Sequence, residues 1–115
     1  MELTIRVRNL DLDENLRKQV ERIVHTAVDR HADQIIRISV SLADLNGPRG
    51  GVDKLCQMTA EVRGMGPVVI SEKRPDVLAA IALAAGRLGF RVRHSLARRS
   101  RFKAPARRAT IRAAA

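Results

Sequence analysis

The chain has 115 residues, with 22 Lys/Arg against 12 Asp/Glu and a net charge of +10. That length gives one domain rather than two, with little core to spare. Residues 1–85 hold 12 basic and all 12 acidic side chains, whereas residues 86–115 hold ten basic side chains and no acid, so the chain is a neutral body with a cationic end, not a uniformly basic, histone-like protein.

Residues 2–8 alternate, Leu3, Ile5 and Val7 against Thr4, Arg6 and Arg8, which predicts a half-buried strand. After a turn over residues 9–12, Asp13 is placed to cap a helix, with Glu14 in the first turn where the macrodipole favours an anion. Leu16, Val20, Ile23, Val24, Ala27 and Val28 give that helix one apolar face, and it is expected to end near His31. Residues 34–42 predict a second strand, with Ile36, Ile38, Val40 and Leu42 on one face and Arg37, Ser39 and Ser41 on the other.

Residues 44–53, with Asn46-Gly47-Pro48 and Gly50-Gly51, read as a turn-rich loop. Residues 54–63 alternate again, Cys56, Met58, Ala60 and Val62 against Gln57, Thr59, Glu61 and Arg63. Gly64-Met65-Gly66-Pro67 is a tight connection, and Val68, Val69 and Ile70 begin a short fourth strand. Pro75 suits the first turn of a last helix and Asp76 its positive end; the helix's apolar stripe runs through Val77, Leu78, Ile81, Ala85, Leu88, Val92 and Leu96 for about five turns. Gly86 and Gly89 interrupt it, allowing either close packing on the sheet or a bend. Past Ser100 the pattern gives way to Arg/Ala with Pro105 and reads as a disordered tail.

The order is β-α-β-β-β-α, an α+β fold. A helical crossover joins the first two strands, which are expected to be parallel, and a meander follows. The simplest closure is a four-stranded sheet with two helices packed on one face and a largely polar opposite face. The expected organisation is a domain over 1–102 and a basic tail over 103–115.

Catalysis has little support. His25, His31 and His94 fall on different elements, and no metalloprotease, nucleophile-elbow or phosphate-loop motif is present. Cys56 is the sole cysteine: no internal disulfide can form, no Cys-based zinc site is expected, and a reducing cytoplasm fits. It falls on the apolar side of its strand and reads as an inert core thiol. No cofactor or metal is expected. The N-terminus does not read as a signal peptide, and no run of 18 apolar residues spans a membrane.

Arg87, Arg91, His94 and Arg98 are spaced four, three and four apart and share one stripe of the last helix, with Arg93 and Arg101 beside it and no acid between them. Like charges on one face repel unless a polyanion offsets them, and guanidinium suits phosphate. Nucleic-acid binding therefore leads over a merely solvated face. Arg17, Lys18 and Arg22 of the first helix form a weaker patch, diluted by Glu14 and Glu21. Side-by-side helices would merge the two patches into one groove for a phosphate backbone. Phe90 and Phe102 are the only aromatic residues, which favours backbone and shape recognition over base stacking.

Three stretches resemble the ribosome hibernation promoting factor and ribosome-associated inhibitor family, also labelled sigma-54 modulation proteins: M-E-L-T-I-R-V-R-N-L-D-L-D-E-N-L-R-K-Q-V-E-R, A-D-Q-I-I-R-I-S-V-S-L and R-P-D-V-L-A-A-I-A-L-A-A-G-R-L. Their order and spacing over residues 1–94 carry the likeness. The resemblance implies a fold similar to double-stranded RNA-binding domains and binding to the small ribosomal subunit where mRNA and tRNA anticodon stems lie. It also implies blocked translation, preservation of idle ribosomes under stress, and contacts to ribosomal RNA from both helices. The matching positions are Arg17, Lys18 and Arg22, then Arg87, Arg91, Arg93 and His94; the stripe adds Arg98.

Several positions depart from the family pattern. Leu78 stands for an aromatic, Ala82 and Gly86 for acids of the last helix, and the 44–53 loop is longer. The tail is basic rather than acidic, and the second domain by which long members pair ribosomes is not expected. The reading is a non-enzymatic, cytoplasmic ribosome-associated translation inhibitor. The alternatives are a generic RNA- or DNA-binding module, and an interaction module whose tail binds an acidic partner or membrane surface.

Overall fold

The computed structural model describes residues 1–45 and 53–114, with side chains through Arg99. Four strands, β1 (Glu2–Arg8), β2 (Ile35–Asp44), β3 (Lys54–Val62) and β4 (Val68–Arg74), and two helices, α1 (Glu14–Val28) and α2 (Val77–Ala114), follow in the order β-α-β-β-β-α. They form one sheet in the order β1-β2-β3-β4, parallel between β1 and β2 and antiparallel elsewhere. A helical crossover gives the parallel pair, and short connections give the antiparallel ones. The α+β fold expected from the sequence is the fold observed.

Both helices lie on one face of the sheet. Val20, Val24 and Val28 of α1 meet Ile38, Val40 and Leu42 of β2, Met58 and Ala60 of β3, Ile70 of β4, and Ile81, Leu88 and Val92 of α2 in a single buried cluster. Each fully buried branched or long side chain there contributes about 1.5–3 kcal/mol of transfer free energy. The other face is open: Arg37, Ser41, Gln57, Glu61, Ser71 and Lys73 are exposed. Arg37 bridges Glu2 and Glu61 across three strands at 3.3 Å each.

Both helix starts are capped by carboxylates. Asp13 Oδ1 accepts from the Leu16 amide at 2.7 Å, as its position predicts. Asp76 Oδ2 accepts from the Ala79 amide at 3.0 Å at the positive end of α2, as expected, whereas Pro75, expected in the first turn, precedes the helix, which begins at Val77. α1 stops at Val28, short of His31, and a 3-10 helix over Asp29–Gln34 completes the connection. The turn after β3 places Gly64 at φ +69°, a left-handed conformation that glycine adopts without cost, and closes with the Met65 amide donating to the Val62 carbonyl at 3.1 Å.

β2 departs from simple alternation at its start. The pairing with β3 shifts between Ile35 and Arg37, and this bulge turns Ile35 into the core (1% exposed) and Ile36 outward (46%). The inward position expected for Ile36 is thus corrected to Ile35. At the other end, Lys54 Nζ holds Asp53 Oδ1 at 3.0 Å and Asp44 Oδ2 at 3.4 Å, and the Leu45 amide donates to the Asp53 carbonyl. These bonds tie both ends of the 44–53 connection; its glycine-rich centre lies outside the described residues. The backbone of the expected 103–115 tail belongs to α2 as far as Ala114, and its side chains lie outside the described ones.

α1 and α2 run in the same direction. Gly89 lies against Ala27, where an added Cβ would overlap the Ala27 carbonyl oxygen, and Ile23 lies beside Ala82, Ala85 and Gly86. The close approach that a glycine permits is therefore helix to helix, not helix to sheet.

Candidate nucleic-acid interface

α2 contains no acidic residue from Val77 onward. Its buried side is fixed by Ile81, Ala84, Leu88 and Val92, each under 1% exposed. That rigid seat turns Arg91, Arg93, His94 and Arg98 into solvent. Among the described residues no ion pair engages any of the four.

Arg87 is placed differently. Its Nη1 donates to Glu72 Oε1 at 3.0 Å and to the Ser71 carbonyl at 3.3 Å, which ties it to β4. The Glu72 side chain is 11% exposed and also pairs with Arg74 at 3.4 Å. The expectation of a stripe without a neighbouring acid holds within α2 and fails at Arg87, because the acid comes from the adjacent strand. Arg99 is likewise engaged: it donates to the Arg63 carbonyl and rests against Gly64, pinning the β3–β4 turn to α2.

Phe90 is the most exposed of the large apolar side chains on the described surface, at 57%. The His94 ring is nearly parallel to it (5°) with centroids 5.9 Å apart, and the Arg93 guanidinium sits 5.8 Å from its centre.

On α1, Arg17, Lys18 and Arg22 are exposed. Arg22 is level with Ala82 and Gly86 of α2, beside an open groove of about 310 Å³ walled by Ile23, Ala27, Ala82 and Ala85. At 1.5 Å per residue, Arg98 lies about 20 Å further along the helix layer. The helices pack side by side, with Arg22 on the rim of the apolar groove they share.

A model of the family described as sigma-54 modulation protein / S30EA ribosomal protein matches residues 3–100. The chain belongs to that family. Among solved structures, a ribosomal subunit interface protein from Coxiella burnetii is similar over 84% of this chain and 99% of its own, with 15% identity and a TM-score of 0.71. The Protein Y N-terminal domain of Thermus thermophilus is similar over 82% and 98%, with 24% identity and a TM-score of 0.68. These two likenesses show the shared fold. No curated protein matches the chain.

The S30EA family is ribosome-associated and non-enzymatic. The titratable groups of this member fit a binding protein. Burial, with a smaller contribution from Glu72, pushes the Cys56 thiol up to about 12, so it is neither nucleophile nor ligand at neutral pH. The hydrogen bond to Asp53 raises the Lys54 ammonium above its ordinary value, with Asp44 adding to it and desolvation opposing. Among the described residues no three His, Cys, Asp or Glu side chains group to hold a metal, and no helix is long and apolar enough to cross a membrane.

Proposed function

We propose that this S30EA-family protein is a cytoplasmic hibernation factor that binds the small ribosomal subunit at the mRNA/tRNA channel and blocks translation. The observation that carries this reading is the exposed, unneutralised set Arg91, Arg93, His94 and Arg98 on an acid-free helix whose other side is locked in the core. Such a set presents guanidinium forks at fixed spacing to ribosomal RNA phosphates. Arg17, Lys18 and Arg22 supply a second contact further along the layer. Arg87 acts chiefly by holding α2 to β4. The basic residues of 103–115 add further attraction.

Counterion release supplies much of the affinity in this reading. Four phosphate contacts give a slope of roughly −3 to −4 in log K against log salt. Pelleting with small subunits across a salt series tests it, using the full chain and the double variant R91E/R98E. The expected result is strong binding at moderate salt and loss on charge reversal. Retained binding by the double variant would overturn the α2 mechanism. Equal affinity for random duplex RNA and for small subunits would favour a generic nucleic-acid module. Loss of binding on deleting residues 103–115 alone would assign the interaction to the tail.

A further inference from the structure

We propose that Phe90 is a stacking platform for one unpaired nucleobase of the bound RNA. This rests on the RNA-binding reading and adds base contact to a surface otherwise read as phosphate-directed.

A phenylalanine more than half exposed on a helix already anchored by its opposite side does no packing that folding requires. Its ring is nevertheless held. His94, one turn on, lies parallel to it, and Arg93 places a cation near its centre. Two neighbours that fix ring orientation lower the entropy lost when a further flat group is added.

The flanks supply the second argument. At 3.6 residues per turn, Phe90 falls between Arg93 on one side of α2 and His94, Arg98 and Arg91 on the other. All are exposed, and no acid lies on the helix. An aromatic face bordered on both sides by cations matches a nucleotide, whose base is flat and apolar and whose phosphates lie to either side. A purely apolar partner leaves those cations without counter-charges. Duplex RNA keeps its bases stacked inside, so the ligand is an unpaired base in a loop or bulge.

The chain has no Trp or Tyr, so F90W introduces a single fluorophore at the site. Wild type, F90A, F90L and F90W are titrated with small subunits at one salt concentration and then across a salt series, with circular dichroism as the check on folding. Stacking of one base predicts F90A and F90L about 5- to 100-fold weaker, with an unchanged salt slope because no phosphate contact is lost. F90W is expected to bind like wild type, with its indole fluorescence quenched on binding. Wild-type affinity in F90A overturns the proposal, as does full binding by F90L with an unquenched, blue-shifted indole in F90W, the signature of an apolar protein pocket. If F90A binds normally while R91E/R98E does not, only the stacking falls. If wild type does not bind, the RNA reading falls with it.

Discussion

The Arg87 guanidinium reaches back over the sheet edge to the Glu72 carboxylate at 3.0 Å, so one arginine of the basic helix is neutralised by the strand it lies on. With the Arg87 side chain 53% exposed, the pair contributes no more than about 1 kcal/mol to stability. Its greater consequence is for binding. E72Q removes the only carboxylate paired to α2 among the described residues and frees Arg87 and Arg74 together. Several-fold tighter binding to small subunits and a steeper salt dependence are expected. R87A is expected to change affinity by less than R91A. The reverse order in a salt-series titration would show that Arg87 leaves Glu72 when bound.

The two glycines of α2 separate helix propensity from packing. At Gly86 an added methyl meets nothing within 4 Å, so G86A is expected to stabilise by up to about 1 kcal/mol. At Gly89 the same methyl runs into the Ala27 carbonyl, which belongs to the backbone and cannot swing aside. There the overpacking cost exceeds the propensity gain, and G89A is expected to destabilise by about 1–3 kcal/mol. Denaturant melts of both variants check the sign: stabilisation by G89A would show that α1 and α2 can separate at no cost.

The fold was legible because its signals were local and agreed with one another. Asp13 sat at a cap before an apolar face of period 3.6, and three strands alternated with period 2. What escaped the sequence depended on partners distant along the chain. Ile35 and Ile36 are adjacent and chemically identical, and only the bulge against β3 decides which is buried. Glu72 lies 15 residues before Arg87, on another element, so no count of charges along α2 could reveal the pair. For the candidate site, the basic row on α2 is a helical spacing readable in the sequence, whereas the contact of Gly89 with Ala27 that sets α1 beside α2 is not.

That bulge makes its own prediction. I36S replaces an exposed side chain and is expected to leave stability within about 0.5 kcal/mol of wild type. I35A empties a core position and is expected to cost about 2–5 kcal/mol. Chemical denaturation of the two variants distinguishes this register from uninterrupted alternation, for which the costs would be exchanged.

Cys56 provides a test of the core that is independent of RNA. Its thiol is pushed from 9.0 to about 12 in the folded protein, chiefly by burial. The folded state therefore favours the protonated thiol. The resulting stabilisation is fully present below about pH 9 and is lost as pH rises from there towards 12, because the unfolded chain gains from ionising first. Two measurements follow. A thiol reagent at pH 8 is expected to leave the native protein unmodified and to react once denaturant opens the fold, as a thiol with no exposed surface requires. C56A, at some cost from the smaller side chain, is expected to show a shallower fall in melting temperature between pH 9 and 11 than wild type. Rapid labelling of the native protein would place the thiol at the surface, and identical pH profiles for the two proteins would assign the alkaline loss of stability to other groups.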